Sequence, residues 1–263
     1  MQKFKPRVAV CLSGEMRFFT DELVMNGFET YIQSWNPDIF ISTWDHVGIS
    51  MNHGYISPKD IKEREDTLHL HIQNTYKNLK AVEIENYNEW IDSISQEDYN
   101  IIYSDTFYSR TINSYPQLYK IYKANKLKMD YEKELGFKYD VVLRIRPDNL
   151  FIKPLDLNQI SSNLIYNINL KGAFYPNRIY DIFFYGGSEE MDVVSDSYRF
   201  FKQLLYSPFD NGLCSRDTCR LLYLQAINAG FVCESTKNRP CDVYRGQTFD
   251  EYYNLLYGWG GLD

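Results

Sequence analysis

Val8-Ala9-Val10-Cys11-Leu12-Ser13-Gly14 is a continuous apolar run closed by a small polar pair. A run without in–out alternation marks a strand covered on both faces, as in parallel sheets lying under helices. Just downstream, residues 21–35 carry Leu23, Phe28, Tyr31 and Ile32 at helical spacings, and Asn36-Pro37 stops them. Asp38-Ile39-Phe40-Ile41-Ser42-Thr43-Trp44 then repeats the buried-strand pattern. Strand, helix and strand in this order predict a right-handed crossover and parallel pairing.

The same reading extends along the chain. Ser57-Pro58-Lys59-Asp60 has the form of a helix start, opening a charged helix to about residue 77, with a third strand at 81–84. Residues 114–135 read as a long amphipathic helix with Leu118, Ile121, Tyr122, Leu127, Met129 and Tyr131 near one side, ended by Gly136. Tyr139 to Asp148 follows as a strand that Pro147 terminates. A strand pair is expected at 164–168 and 180–185, helices at 188–205 and 215–229, and a last strand at 231–234. No repeat or Pro/Ser-rich linker interrupts this alternation. The expectation is one α/β domain with a mostly parallel central sheet flanked by helices.

Composition narrows the function classes. Among 263 residues, 28 basic and 35 acidic side chains give a net charge of −7, which argues against general nucleic-acid or anionic-membrane binding. Aromatic residues make up 16% of the chain, and 23 of them are Tyr. That excess reads either as scattered core and surface rings or as a sugar- or base-stacking surface. Five cysteines, an odd number, lack zinc spacing and point to free thiols in a reducing compartment. With no apolar run of membrane-spanning length, a cytoplasmic protein without a transmembrane segment is expected.

The strongest chemical cluster is Arg144-Ile145-Arg146-Pro147-Asp148. Alternate strand positions share a face, so the two guanidiniums point one way, with Asp148 continuing the line. Buried guanidiniums need anions. A diphosphate gripped by the planar forks is one reading, and a ladder of internal salt bridges is the other. Asp148 either holds a divalent cation or pairs with an arginine. Ser13-Gly14-Glu15-Met16-Arg17 follows the first strand, where a glycine admits a ligand to the backbone or simply makes a turn. Thr43-Trp44-Asp45-His46 ends the second strand at the same edge, with Trp44 a stacking ring or a core residue and Asp45 a candidate ribose ligand. Asp181, preceded by Arg178, is a candidate general base or a turn aspartate. The histidines read as surface residues. Dinucleotide, P-loop, nucleophile-elbow and CxxC motifs are absent from the sequence, which disfavours NTPase, hydrolase and oxidoreductase chemistry.

Three pieces together resemble a group of bacterial and viral glycosyltransferases with a GT-A-like fold, the WavE-type lipopolysaccharide-synthesis proteins among them. They are Leu12-Ser13-Gly14-x-x-Arg17, Ile41-Ser42-Thr43-Trp44, and Tyr139-Asp140-x-x-x-Arg144-x-Arg146-Pro147-Asp148, with Pro116-Gln117-Leu118-Tyr119-Lys120 matching the helix before the last. The resemblance implies a single domain over 1–263, in which residues 1–150 bind nucleotide and 151–263 bind acceptor. It implies transfer of a sugar from a nucleotide-sugar donor to a glycan or lipid-linked hydroxyl acceptor. Ser13, Gly14, Arg17 and Thr43 would lie near the nucleotide, Arg144, Arg146 and Asp148 near the diphosphate, and Asp181 near the acceptor. Asp181 as base and Arg146 as leaving-group stabiliser would be the catalytic pair, so Arg146→Ala is expected to cut turnover and leave the fold intact. GT-A enzymes usually hold Mn2+ or Mg2+ through an Asp-x-Asp. Here Asp148 alone stands for that pair, so the arginines are the alternative source of positive charge. The rival readings are a non-catalytic carbohydrate-binding protein and a nucleotidyl- or phosphotransferase on a similar sheet.

Overall fold

A computed structural model describes residues 5–46, 62–63, 65–103, 111–158, 160–168, 177–207, 217–236 and 240–243. The two leading runs form β1 (Val8–Ser13) and β2 (Asp38–Trp44), joined by α1 (Glu22–Tyr31) and a single 3-10 turn at Gln33–Trp35. Asp21 caps α1 by accepting from the Leu23 amide, and Asn36 takes the left-handed conformation that ends the connection. α2 (Leu68–Thr75) and β3 (Leu79–Glu85) follow. The expected helix start at Ser57 lies outside the described residues.

Then come α3 (Tyr87–Ser93), α4 (Gln96–Tyr103), the long α5 (Thr111–Leu135) and β4 (Val141–Ile145). The chain continues through β5 (Asn149–Phe151), β6 (Leu164–Asn167), β7 (Phe183–Gly186), α6 (Ser188–Ser195), α7 (Phe201–Leu205), α8 (Thr218–Asn228), β8 (Val232–Ser235) and β9 (Cys241–Val243).

The main sheet has the order β3-β2-β1-β4-β7-β6-β8. β3, β2, β1 and β4 are parallel, β6 and β8 are parallel, and β7 alone runs against its two neighbours. β5 and β9 make a separate antiparallel pair. The mostly parallel α/β expectation is met.

Side chains alternate across the sheet into two cores. Ala9, Cys11, Phe40, Val142 and Phe184 face α5, α6 and α8, while Val10, Leu12, Ile39, Ile41, Leu143 and Phe183 face α1 and α2. α1 approaches the small sheet closely: a Cβ at Gly27 would lie 2.5 Å from the Phe151 carbonyl oxygen.

Three expectations need correction. Met129 is 36% exposed, and the inner side of α5 carries buried Lys120, Lys128 and Glu132 as well as Leu118 and Ile121. Paired charges therefore break the apolar stripe. The single helix expected at 188–205 is interrupted by a 3-10 turn at Asp196–Tyr198. α3, α4, β5 and β9 were not expected, because short polar helices and three-residue strands carry no periodic signal. Among the described residues, Cys11, Cys219 and Cys233 are free thiols; Cys214 lies outside them. No helix among the described residues is long and apolar enough to cross a membrane.

Candidate active site

β1 and β4 lie side by side where the strand order reverses, and their carboxyl ends open into the crevice where ligands of α/β sheets collect. Arg144 pairs in register with Cys11 and Phe184 and projects onto the α5 face. It is 1% exposed. Its Nε donates to Ser13 Oγ at 2.9 Å and its Nη2 to the Ser13 carbonyl at 3.3 Å, whereas Nη1 has no partner among the described residues. Burial pushes the guanidinium down to about 10, and the charge of Arg146 pushes the same way against the pull of Asp181. The group remains a cation at neutral pH with an unsatisfied, desolvated N–H.

Arg146 follows the end of β4, its amide donating to the Ile182 carbonyl at 3.1 Å before Pro147 closes the ladder. The guanidinium makes a two-pronged pair with Asp148, Nε to Oδ1 at 2.9 Å and Nη2 to Oδ2 at 2.7 Å. Its Nη1 lies 3.6 Å from Asp181 Oδ2. Burial alone would lower its pKa, but Asp148 and Asp181 outweigh that and raise it.

Asp181 occupies the loop before β7. It accepts from Cys219 Sγ at 3.1 Å and from Gln117 Nε2, while Gln117 Oε1 accepts from Thr218 Oγ1 at 2.7 Å. Burial favours its neutral form, yet Arg146, Arg144 and these hydrogen bonds prevail and hold the carboxyl below its ordinary value. Thr218 and Cys219 open α8, whose positive end therefore faces the same cluster.

On the β2 side, Arg17 Nη1 stands 3.8 Å from Asp148 Oδ2, and its Nε and Nη2 donate to Glu15 at 2.8 and 2.5 Å. Glu15 in turn meets His46 Nε2 at 3.3 Å. Burial would raise the Glu15 carboxyl, but His46 and Arg17 hold it down at about 2. Gly14 has φ +112, with open space where a side chain would project.

Ser13, Gly14, Arg17, Arg144, Arg146, Asp148 and Asp181 thus form one cluster, drawn from both halves of the chain. Thr43 does not join it: the residue is buried and its hydroxyl donates to the Trp44 carbonyl at 3.2 Å. Trp44, 4% exposed, is a core ring stacked on Tyr119. Asp45 accepts from Asn86 Nδ2 at 2.6 Å and from the Tyr87 amide, so it fastens α3. Arg178 pairs with Asp217 at 2.5 Å. His46, expected as a surface residue, is tied to the cluster through Glu15. Gln117, Thr218 and Cys219 escaped the sequence reading. Only Gln117 carried a signal, within the stretch that matches the helix before Arg-x-Arg-Pro-Asp.

The two readings of Arg-x-Arg divide between the residues: Arg146 is in an internal ladder, while Arg144 keeps a free N–H. As a metal ligand Asp148 fits poorly. Both its oxygens accept from Arg146, and among the described residues no group of three His, Cys, Asp or Glu side chains is arranged to hold an ion. The chain matches no known protein-family profile and has no similar curated protein.

Proposed function

We propose that this chain is a glycosyltransferase of GT-A-like architecture, moving a sugar from a nucleotide-sugar donor to the hydroxyl of a glycan or lipid-linked acceptor. The observation that carries the proposal is Arg144, a buried cation with an unpartnered N–H at the strand-order reversal, flanked by Arg146 and the α8 N-terminus. A diphosphate is an anion that would use that N–H. Its second phosphate would draw Arg146, already set with one nitrogen turned to Asp181.

On this reading an acceptor hydroxyl forms a bond to the anomeric carbon as the bond to the nucleoside diphosphate breaks. The leaving electron pair goes to the diphosphate oxygen, stabilised by the two guanidiniums. In an inverting reaction Asp181 takes the hydroxyl proton; its lowered pKa keeps it ionised for that role. No step is assigned to a divalent cation.

Thermal unfolding with UDP, GDP, CDP and their sugar conjugates, each with EDTA or manganese, tests the proposal. A ligand at 100 times its Kd should add about 2.7 kcal/mol. Stabilisation by one nucleoside diphosphate, undiminished by EDTA, is the expected result. No stabilisation by any of them would leave the carbohydrate-binding reading in its place.

A further inference from the structure

An exposed aromatic surface lies on α4, outside residues 151–263. α4 presents Tyr99 and Tyr103 one turn apart, their rings stacked at 4.3 Å and 28°. They are 42% and 41% exposed. Each ring covers the inner face of the other, and the outer face left in water is a flat apolar surface edged by a hydroxyl, the shape and chemistry that meet the face of a pyranose.

The pair is not isolated from the site. Tyr103 adjoins Tyr87 at the start of α3: together with burial, the larger cause, it raises the Tyr87 hydroxyl above its ordinary value. The Tyr87 ring meets His46 edge-on, with centroids 5.5 Å apart, and His46 contacts Glu15 of the arginine cluster at 3.3 Å. The Tyr99–Tyr103 pair and the Tyr87–His46 pair thus lie between exposed surface and the Glu15 side of the arginine cluster.

Charge selects the occupant. Residues 87–103 contain Glu89, Asp92, Glu97 and Asp98 and neither Lys nor Arg. Lys202 from α7 reaches Glu97 at 2.8 Å and Asp98 at 3.1 Å, which still leaves the strip acidic. An anionic glycan or a nucleic acid would be repelled here. The geometry points to a binding site for an uncharged oligosaccharide on Tyr99, Tyr103 and Tyr87, with its growing end directed at the arginine cluster. As an acceptor site this rests on the transferase reading, while as a glycan site it stands on the rings alone.

Affinity electrophoresis of the full chain through gels containing a neutral glucan, a neutral galactomannan or anionic alginate provides the test. Retardation by a neutral polysaccharide and not by alginate is expected. Tyr99→Ala with Tyr103→Ala should weaken it about tenfold, on the scale of two lost aromatic faces, with thermal unfolding unchanged. Equal retardation of the double variant, preference for alginate, or no retardation by either neutral polymer overturns the inference. Nucleoside diphosphate stabilisation, measured on the same two proteins, separates the claims. If it is missing from both while retardation depends on the tyrosines, the transferase reading fails and the glycan site stands.

Discussion

Two buried cations lie at opposite ends of α5 and are treated in opposite ways. Lys128, fully buried, has three N–H groups and three acceptors: Glu132 Oε2 at 3.0 Å, Ser188 Oγ at 2.6 Å and Asp192 Oδ1 at 2.6 Å. Glu132 also accepts from Ser188 Oγ at 2.6 Å and the Tyr139 amide at 2.9 Å, and Lys138 closes the network from outside at 3.0 Å. Arg144, beyond the other end of the helix, has Ser13 for two of its nitrogens and, among the described residues, no partner for the third. A network whose ammonium is fully met joins α5, α6 and the approach to β4. A network that leaves a guanidinium N–H unmet costs stability, and on the proposed reading a bound diphosphate would recover that cost.

The contrast is broken most directly by removing each cation. Lys128→Ala should lose about 3–5 kcal/mol in denaturant unfolding, since it leaves Glu132 and Asp192 only the half-exposed Lys138. Arg144→Met should lose well under half of that while abolishing nucleoside diphosphate stabilisation. Equal losses of stability would erase the distinction.

Arg146→Ala should lower turnover by about 10²–10³, or about 2.7–4 kcal/mol. The fold should stay intact, but the variant should also lose stability, because Asp148, 1% exposed, would be left buried without its main partner. Adding Asp148→Asn should restore much of the unfolding free energy and none of the turnover. Recovery of turnover would remove Arg146 from the chemistry.

Smaller effects sharpen the border of the site. Thr43→Val should cost about 1 kcal/mol, the scale of one internal hydrogen bond, and leave nucleotide stabilisation unchanged. A lost nucleotide shift would return Thr43 to the donor site.

The His46–Glu15 pair sets the smallest effect, about 0.2–1 kcal/mol for a partly exposed ion pair. Its hydrogen bond to Glu15 raises His46 above the usual 6.5, so that contribution is full below pH 6.5 and fades as pH climbs through the folded-state value. Glu15, lowered from 4.5 to about 2, contributes fully above pH 4.5 and loses its share as pH falls toward 2. The Tm difference between the natural protein and His46→Gln should therefore be largest between pH 4.5 and 6.5. A difference that grew at alkaline pH would contradict the pairing.

What the sequence disclosed follows from how far each signal reaches. β1, β2 and β4 are built on the apolar runs 8–12, 39–41 and 141–143, so both the strands and their parallel arrangement were legible. Arg144, Arg146 and Asp148 lie within five residues and announced themselves as a cluster. The partners of Asp181 did not, because Gln117 and Cys219 are 64 and 38 residues away and meet it only through the packing of α5 and α8. The division of labour between the arginines was equally hidden. Strand alternation puts both on one face, but which one meets acids depends on where the chain turns after Pro147. Thr43 shows the reverse error: it ends a strand at the correct edge, and a bond to its own neighbour's carbonyl takes its hydroxyl out of use.

Gly27 has a consequence for descent. It touches no part of the chemistry, yet any side chain there would collide with the backbone of Phe151 and displace the short strand that begins directly after Asp148. Lineages could exchange the loop after β1, or trade one acceptor for another, and still need a position without a side chain on that face of α1. A glycine in the first crossover helix paired with Arg-x-Arg-Pro-Asp is therefore a more selective signature of this packing than the pentapeptide alone.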